Sequence, residues 1–127
     1  MVVTHLALLQ INSRSLGHYN VIEFSGILDD SVSEQFELLC RNLLNNDIKS
    51  YIFDFSGLLK LSRQMAEKVA GLVRRIRTFK GTLYIMGLNP WLRKSVTFSL
   101  GEESSSYCLA DEEEALQRIE HEPLYCF

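Results

Sequence analysis

A mixed α/β fold is predicted for this chain of 127 residues, and three observations predict it. Two short apolar runs stand out: Tyr51-Ile52-Phe53-Asp54-Phe55, closed by Ser56-Gly57, and Thr82-Leu83-Tyr84-Ile85-Met86, between Gly81 and Gly87. Runs of this length, rich in aromatic and branched residues, suit strands covered on both faces. Between them Met65, Val69, Leu72, Val73 and Ile76 recur at helical spacing, with Phe79 expected to close the stripe. That makes a parallel βαβ unit with a right-handed crossover. Ahead of it, two apolar segments joined by a short polar link can only pair antiparallel. The predicted order is β-β-α-β-α-β-α-β-α, a single-domain mixed β-sheet with helices packed on it, over residues 1–120, followed by a tail at 121–127.

The elements follow in order. Val2 to Ile11 reads as the first strand and Ser13 to His18 as a loop. Tyr19 to Phe24 reads as the second strand. Ser31-Val32-Ser33-Glu34 has the capping-box pattern and opens a first helix to about Asn45. Its apolar face is Val32, Phe36, Leu39, Cys40, Leu43 and Leu44. After the central unit, with Leu58 to Gln64 as its first link, Asn89-Pro90 marks a helix start: Asn caps, and proline fills a first-turn place where its missing N–H costs nothing. Trp91, Leu92 and Val96 are expected to be its buried side, and Gly101 its end. Glu102 to Ser106 reads as loop, Tyr107-Cys108-Leu109 as a last strand. Asp111 to Ile119 reads as a last helix, its acidic start favoured by the helix dipole and its anchors Leu116 and Ile119.

Composition narrows the function classes. The net charge of −3 gives no overall pull toward nucleic acid. The one basic run, Arg74, Arg75, Arg77 and Lys80, reads as a solvated helix face. Cys40, Cys108 and Cys126 are odd in number and far apart, so no disulfide framework or metal knuckle is suggested. Cys40 reads as a small buried hydrophobe. No apolar run approaches the ~20 residues that cross a bilayer, and no secretory leader is evident at the start. A cytoplasmic protein is expected.

Catalytic motifs are not found. His5, His18 and His121 lack metal-spaced neighbours. Neither a glycine-rich phosphate loop nor a nucleophile elbow is present. No cofactor is called for. Asp29 and Asp30 read as a capped turn at the end of the second strand, and Asp54 lies inside a strand pattern. Ser62 is the most informative polar residue. It stands where a helix N-cap belongs, and a phosphate there would meet the same free amides. Both the cap and a regulated hydroxyl fit the position.

These segments together resemble STAS domains, the fold of anti-sigma factor antagonists and of the cytoplasmic tails of sulfate transporters. Gly26-Ile27-Leu28-Asp29 looks like the family's G-x-L-D. Asp54-Phe55-Ser56-Gly57-Leu58 looks like its D-L-S-G-V. Gly81, Asn89 to Lys94 and the acidic start at Asp111 match in order and spacing. The family's signature at the start of the second helix is D-S-S-G or D-S/T-x-G, whose second Ser or Thr is phosphorylated by a partner kinase. Aligned here, those four positions are Ser62, Arg63, Gln64 and Met65, so the acceptor is Gln64, which cannot be phosphorylated.

The resemblance implies a non-catalytic module of bacterial regulatory signalling, active in partner switching and transcription regulation. Its docking surface would be Asp29 with Ser62, Arg63, Gln64 and Met65, without the usual switch, a relocated phosphosite at Ser62 being the exception to test. The partner implied is an anti-sigma factor with a serine-kinase-like fold, or a signalling scaffold. A homodimer is admissible; nucleic acid and direct membrane insertion are not implied. The alternative is a small accessory subunit of a membrane transport complex or of a signalling scaffold. A small enzyme is the third reading.

Overall fold

The computed structural model describes residues 9–47 and 49–120. The expected strand start at Val2, together with His5, His121, Cys126 and the tail at 121–127, lies outside the described residues. Five strands form one sheet in the order β1-β2-β3-β4-β5. They are β1 (Leu9–Leu16), β2 (Tyr19–Leu28), β3 (Ser50–Leu61), β4 (Thr82–Met86) and β5 (Cys108–Leu109). β1 is antiparallel to β2, and all later pairs are parallel. The helices are α1 (Ser33–Asn45), α2 (Arg63–Thr78), α3 (Pro90–Leu100), a single turn α4 (Ser104–Tyr107) and α5 (Glu112–Glu120). The α/β class and the element order are as the sequence predicts.

Strand alternation separates two cores. On one face Phe24, Phe53, Phe55, Leu83 and Ile85 meet α1, α2 and α3. The phenylalanines pack edge to face, Phe24 lying 4.7 Å from Phe53 and 5.1 Å from Phe55 between ring centroids, a favoured arrangement. On the other face Tyr19, Val21, Ile52, Tyr84 and Met86 meet Ala115 of α5.

Several expectations are corrected. The predicted loop at Ser13 to His18 is mostly strand: β1 runs to Leu16, and Gly17, at φ +61°, makes the turn with His18. The link predicted from Leu58 is also strand. Ser56-Gly57 looks like a stop, but pairing resumes beyond it, Ser25 opposite Gly57 and Leu28 opposite Leu61. β3 takes up extra residues at two register shifts, and a Cβ on Gly57 would sit 2.9 Å from the Phe24 carbonyl. The glycine answers a close approach at a bulge rather than a turn.

The capping box at Ser31 is not formed. Asp29 caps a 3-10 turn (Asp30–Val32) and α1 begins after it. Phe79 is exposed at the end of α2 with the Lys49 ammonium over its ring. Leu116 is 39% exposed, and Ala115 takes the fully buried place on α5. Glu102 to Ser106 is helical turn rather than loop. The basic run is not merely solvated. Arg74 Nη2 donates to the Ser99 carbonyl at 2.9 Å, and Arg74 and Arg77 both pair with Glu103, fastening α2 to the end of α3.

Gly71 stands inside α2, and an added Cβ would meet nothing within 4 Å. Gly71→Ala is therefore expected to raise stability by about 0.5–1 kcal/mol, the usual helix-interior difference. Urea denaturation checks it, and a loss of stability would show that the site is not open.

Candidate functional site

The carboxyl ends of β2 and β3 carry the site. Leu28 pairs with Leu61, and the Ser62 N–H donates to the Leu28 carbonyl at 3.0 Å, tying the two strand tips together. Leu28, Val32, Leu61 and Met65 are buried beneath. The polar residues that follow each strand are therefore neighbours because the apolar residues before them share one core.

On the β2 side, Asp29 Oδ1 accepts from the Ser31 N–H at 2.9 Å and from the Ser31 hydroxyl at 2.5 Å. Those two bonds, with Lys60 Nζ at 3.6 Å from Oδ2, hold the Asp29 carboxyl below the usual aspartate range. Asp29 is thus engaged in shaping the turn and keeps only part of its surface free.

On the β3 side, Ser62 is the N-cap of α2. Its hydroxyl accepts from the Met65 N–H at 3.2 Å, as the cap reading expects. Ser62→Ala should lower stability by about 1 kcal/mol. An unchanged denaturation midpoint would show that the cap contributes nothing. Arg63 and Gln64 are exposed in the first turn. The Gln64 amide lies against the Asp30 carboxylate, and the hydrogen-bonding assignment of that amide, nitrogen toward Asp30, lets it donate to Oδ1 at 2.7 Å.

The structure thus brings Asp29, Ser62, Arg63 and Gln64 onto one face and does not bring Met65. Its side chain is fully buried, because it sits at the third helical position, which turns inward into the core that also holds Leu28 and Leu61. Met65 is corrected from a contact residue to a core residue. Two members escaped the sequence reading. Asp30 and Lys60 join the face, Lys60 because β3 continues past Gly57 and carries it alongside β2 to Asp29.

Trp91 corrects the sequence reading too. Asn89 caps α3 and Pro90 occupies its first turn as expected. Leu92, Val96 and Leu100 are buried, but Trp91 is 79% exposed. It lies on the other side of the helix with Phe98, which is 71% exposed. The Arg63 guanidinium stacks over Phe98 at 5.0 Å from the ring centroid. This contact joins the start of α2 to the outer face of α3.

A cleft of about 530 Å³ between α1 and α2, lined by Phe36, Cys40, Leu44 and Leu72 with Lys68 and Arg75 at its rim, lies apart from this face. It offers no activated nucleophile, since burial pushes the Cys40 thiol up to about 11. Alkylation of Cys40 by iodoacetamide at pH 8 should run about tenfold or more slower than that of an unburied cysteine. An equal rate would return the cleft to consideration. Among the described residues no cluster of His, Cys, Asp or Glu could hold a metal ion, and no helix is long and apolar enough to cross a membrane.

By sequence the chain matches no family model and no curated protein. Solved structures do match. An anti-sigma factor antagonist from Mycobacterium paratuberculosis superposes with a TM-score of 0.76 at 13% identity, over 93% of this chain and 99% of that one. The Bacillus cell fate determinant SpoIIAA in its phosphorylated form gives 0.66 at 24% identity, over 87% and 98%. The murine solute carrier 26 family member A9 anion transporter gives 0.71 at 13% identity, where 86% of this chain covers 19% of the transporter. With its opening hairpin, its parallel strands and its helices in this order, the chain has the fold of the STAS domains of anti-sigma factor antagonists.

Proposed function

We propose that the chain is a non-catalytic docking module of bacterial regulatory signalling, cytoplasmic and acting as anti-sigma factor antagonists act. The partner proposed is an anti-sigma factor of serine-kinase-like fold or a signalling scaffold. The contact surface is Asp29, Asp30, Lys60, Ser62, Arg63 and Gln64. One observation carries this reading: a polar, exposed face built over a fully apolar floor at the tips of two parallel strands, with its groups tied to one another. Such a face offers recognition without a convergent reactive group.

Gln64 at the expected acceptor position, already engaged with Asp30, holds this surface in one state. Binding is then constitutive rather than switched by phosphate. Ser62 remains the only hydroxyl at the helix start, and its cap bond would have to break for a kinase to reach it.

Affinity capture with the wild-type chain, Lys60→Glu and Gln64→Lys tests the reading. A kinase-fold ATPase retained by the wild type and weakened about tenfold or more by either change supports it. Equal retention by all three would sink the surface. A second reading, an accessory subunit of a membrane transport complex, is favoured by the overlay on the anion transporter. Recovery of a transport ATPase instead of a kinase selects it.

A further inference from the structure

α3 carries two apolar rows, and only one is used by the core. Leu92, Val96 and Leu100 are buried, whereas Trp91 and Phe98 face solvent. The latter are seven residues apart, so they lie on one side, two turns and roughly 10 Å along the axis from each other. Exposed aromatic residues beside arginine are the composition of interface hot spots.

The face also has a sign. Two shallow hollows flank Phe98. One is lined by Arg63, Lys94 and Ser95, the other by Pro90, Arg93, Lys94 and Thr97. No residue of α3 is acidic. The chain as a whole is at −3, so this strip is opposite in sign to the net charge of the chain. Arg14, Lys60, Lys68, Arg74 and Arg77 are paired with carboxylates. Arg63 and Lys94 sit over rings, Arg63 on Phe98 and Lys94 on Trp91 at 5.7 Å, and among the described residues form no ion pair, as is also the case for Lys49 over Phe79 and Arg118 over Tyr84; Arg63 and Lys94 differ in sharing one face. Cation–π contact holds their charges in place while leaving them free to meet an anion.

Resting on the docking reading above, we infer that the outer face of α3 is the second half of that surface. It takes an acidic helical segment of the partner protein, with aliphatic side chains seated between Trp91 and Phe98. The spacing of the two rings matches the i, i+7 ridge of an amphipathic helix. Polyphosphate is disfavoured because the Asp30 carboxylate lies against Gln64, the chain neighbour of Arg63.

Trp91 is the only tryptophan, so its emission reads occupancy directly. The probe is a synthetic peptide of about 16 residues with leucines at i, i+3, i+4 and i+7 and glutamates elsewhere, lacking aromatics. Its control carries lysine in place of glutamate. The acidic peptide should shift Trp91 emission to the blue, with affinity falling as salt rises. Arg63→Glu and Lys94→Glu should each weaken binding about tenfold or more, and Phe98→Ala comparably by calorimetry. All three residues are exposed, so unchanged circular dichroism is expected in each variant. Equal binding of the lysine peptide, or no effect of either charge reversal, overturns the inference. So does a blue shift produced by phosphatidylglycerol vesicles or a single-stranded oligonucleotide but not by the peptide. If a captured partner is lost with Lys60→Glu and Gln64→Lys yet indifferent to Lys94→Glu and Phe98→Ala, the docking reading stands and this one fails.

Discussion

Phe53→Ala is expected to lower the unfolding free energy by about 3–5 kcal/mol, the range for deleting a buried phenylalanine side chain. Phe53 has no exposed surface and lies on the central strand β3, between β2 and β4. Its ring contacts Phe24, Phe36 and Phe55, so α1 and two strands lose a common neighbour at once. The cavity cannot close easily, because the backbone on both sides is fixed by parallel ladders. A loss of that size is a large part of what a small domain has in total. Urea denaturation monitored by circular dichroism measures it. A loss under about 1 kcal/mol would mean that the aromatic cluster repacks freely.

Gly81→Ala should cost about 3 kcal/mol, the upper end for forced overpacking. The added methyl would overlap the Lys49 carbonyl oxygen and Cβ, and it would lie 2.8 Å from Ile76 Cγ2. Neither side can retreat. The Lys49 carbonyl accepts from the Thr82 N–H at 2.7 Å where β3 and β4 begin, and the Gly81 N–H donates to the Ile76 carbonyl at 2.8 Å to end α2. Backbone therefore meets backbone. The comparison with Gly71→Ala is informative, since the same methyl in the same protein is expected to act in opposite directions. Matching effects at the two glycines would show that local space does not decide the outcome.

The outline of the fold was legible because hydrophobic period is a local property. Met65, Val69, Leu72, Val73 and Ile76 form a helical stripe in the sequence, and all five are buried in α2. Ser62 at the N-cap, Asn89-Pro90 at the start of α3 and Gly101 at its end were likewise written in consecutive residues. Errors arose where a residue's meaning depends on something distant. Gly57 looks like a terminator until Phe24 is seen pressing on it. Trp91 and Leu92 are equally apolar in sequence, and only the position of the sheet decides which faces it. Two apolar rows on one helix were the available signal, since a sheet can cover one side only.

The candidate site divides in the same way. By itself the sequence determined the element order, the helix cap at Ser62 and the presence of Gln64 where a hydroxyl was expected, because capping and periodicity act over a few residues. Tertiary structure alone decided that Met65 turns inward, that Asp30 and Lys60 join the face, and that Arg63 lies over Phe98. Those outcomes depend on how strands far apart in the chain register against each other, and no interaction within a short window fixes that register.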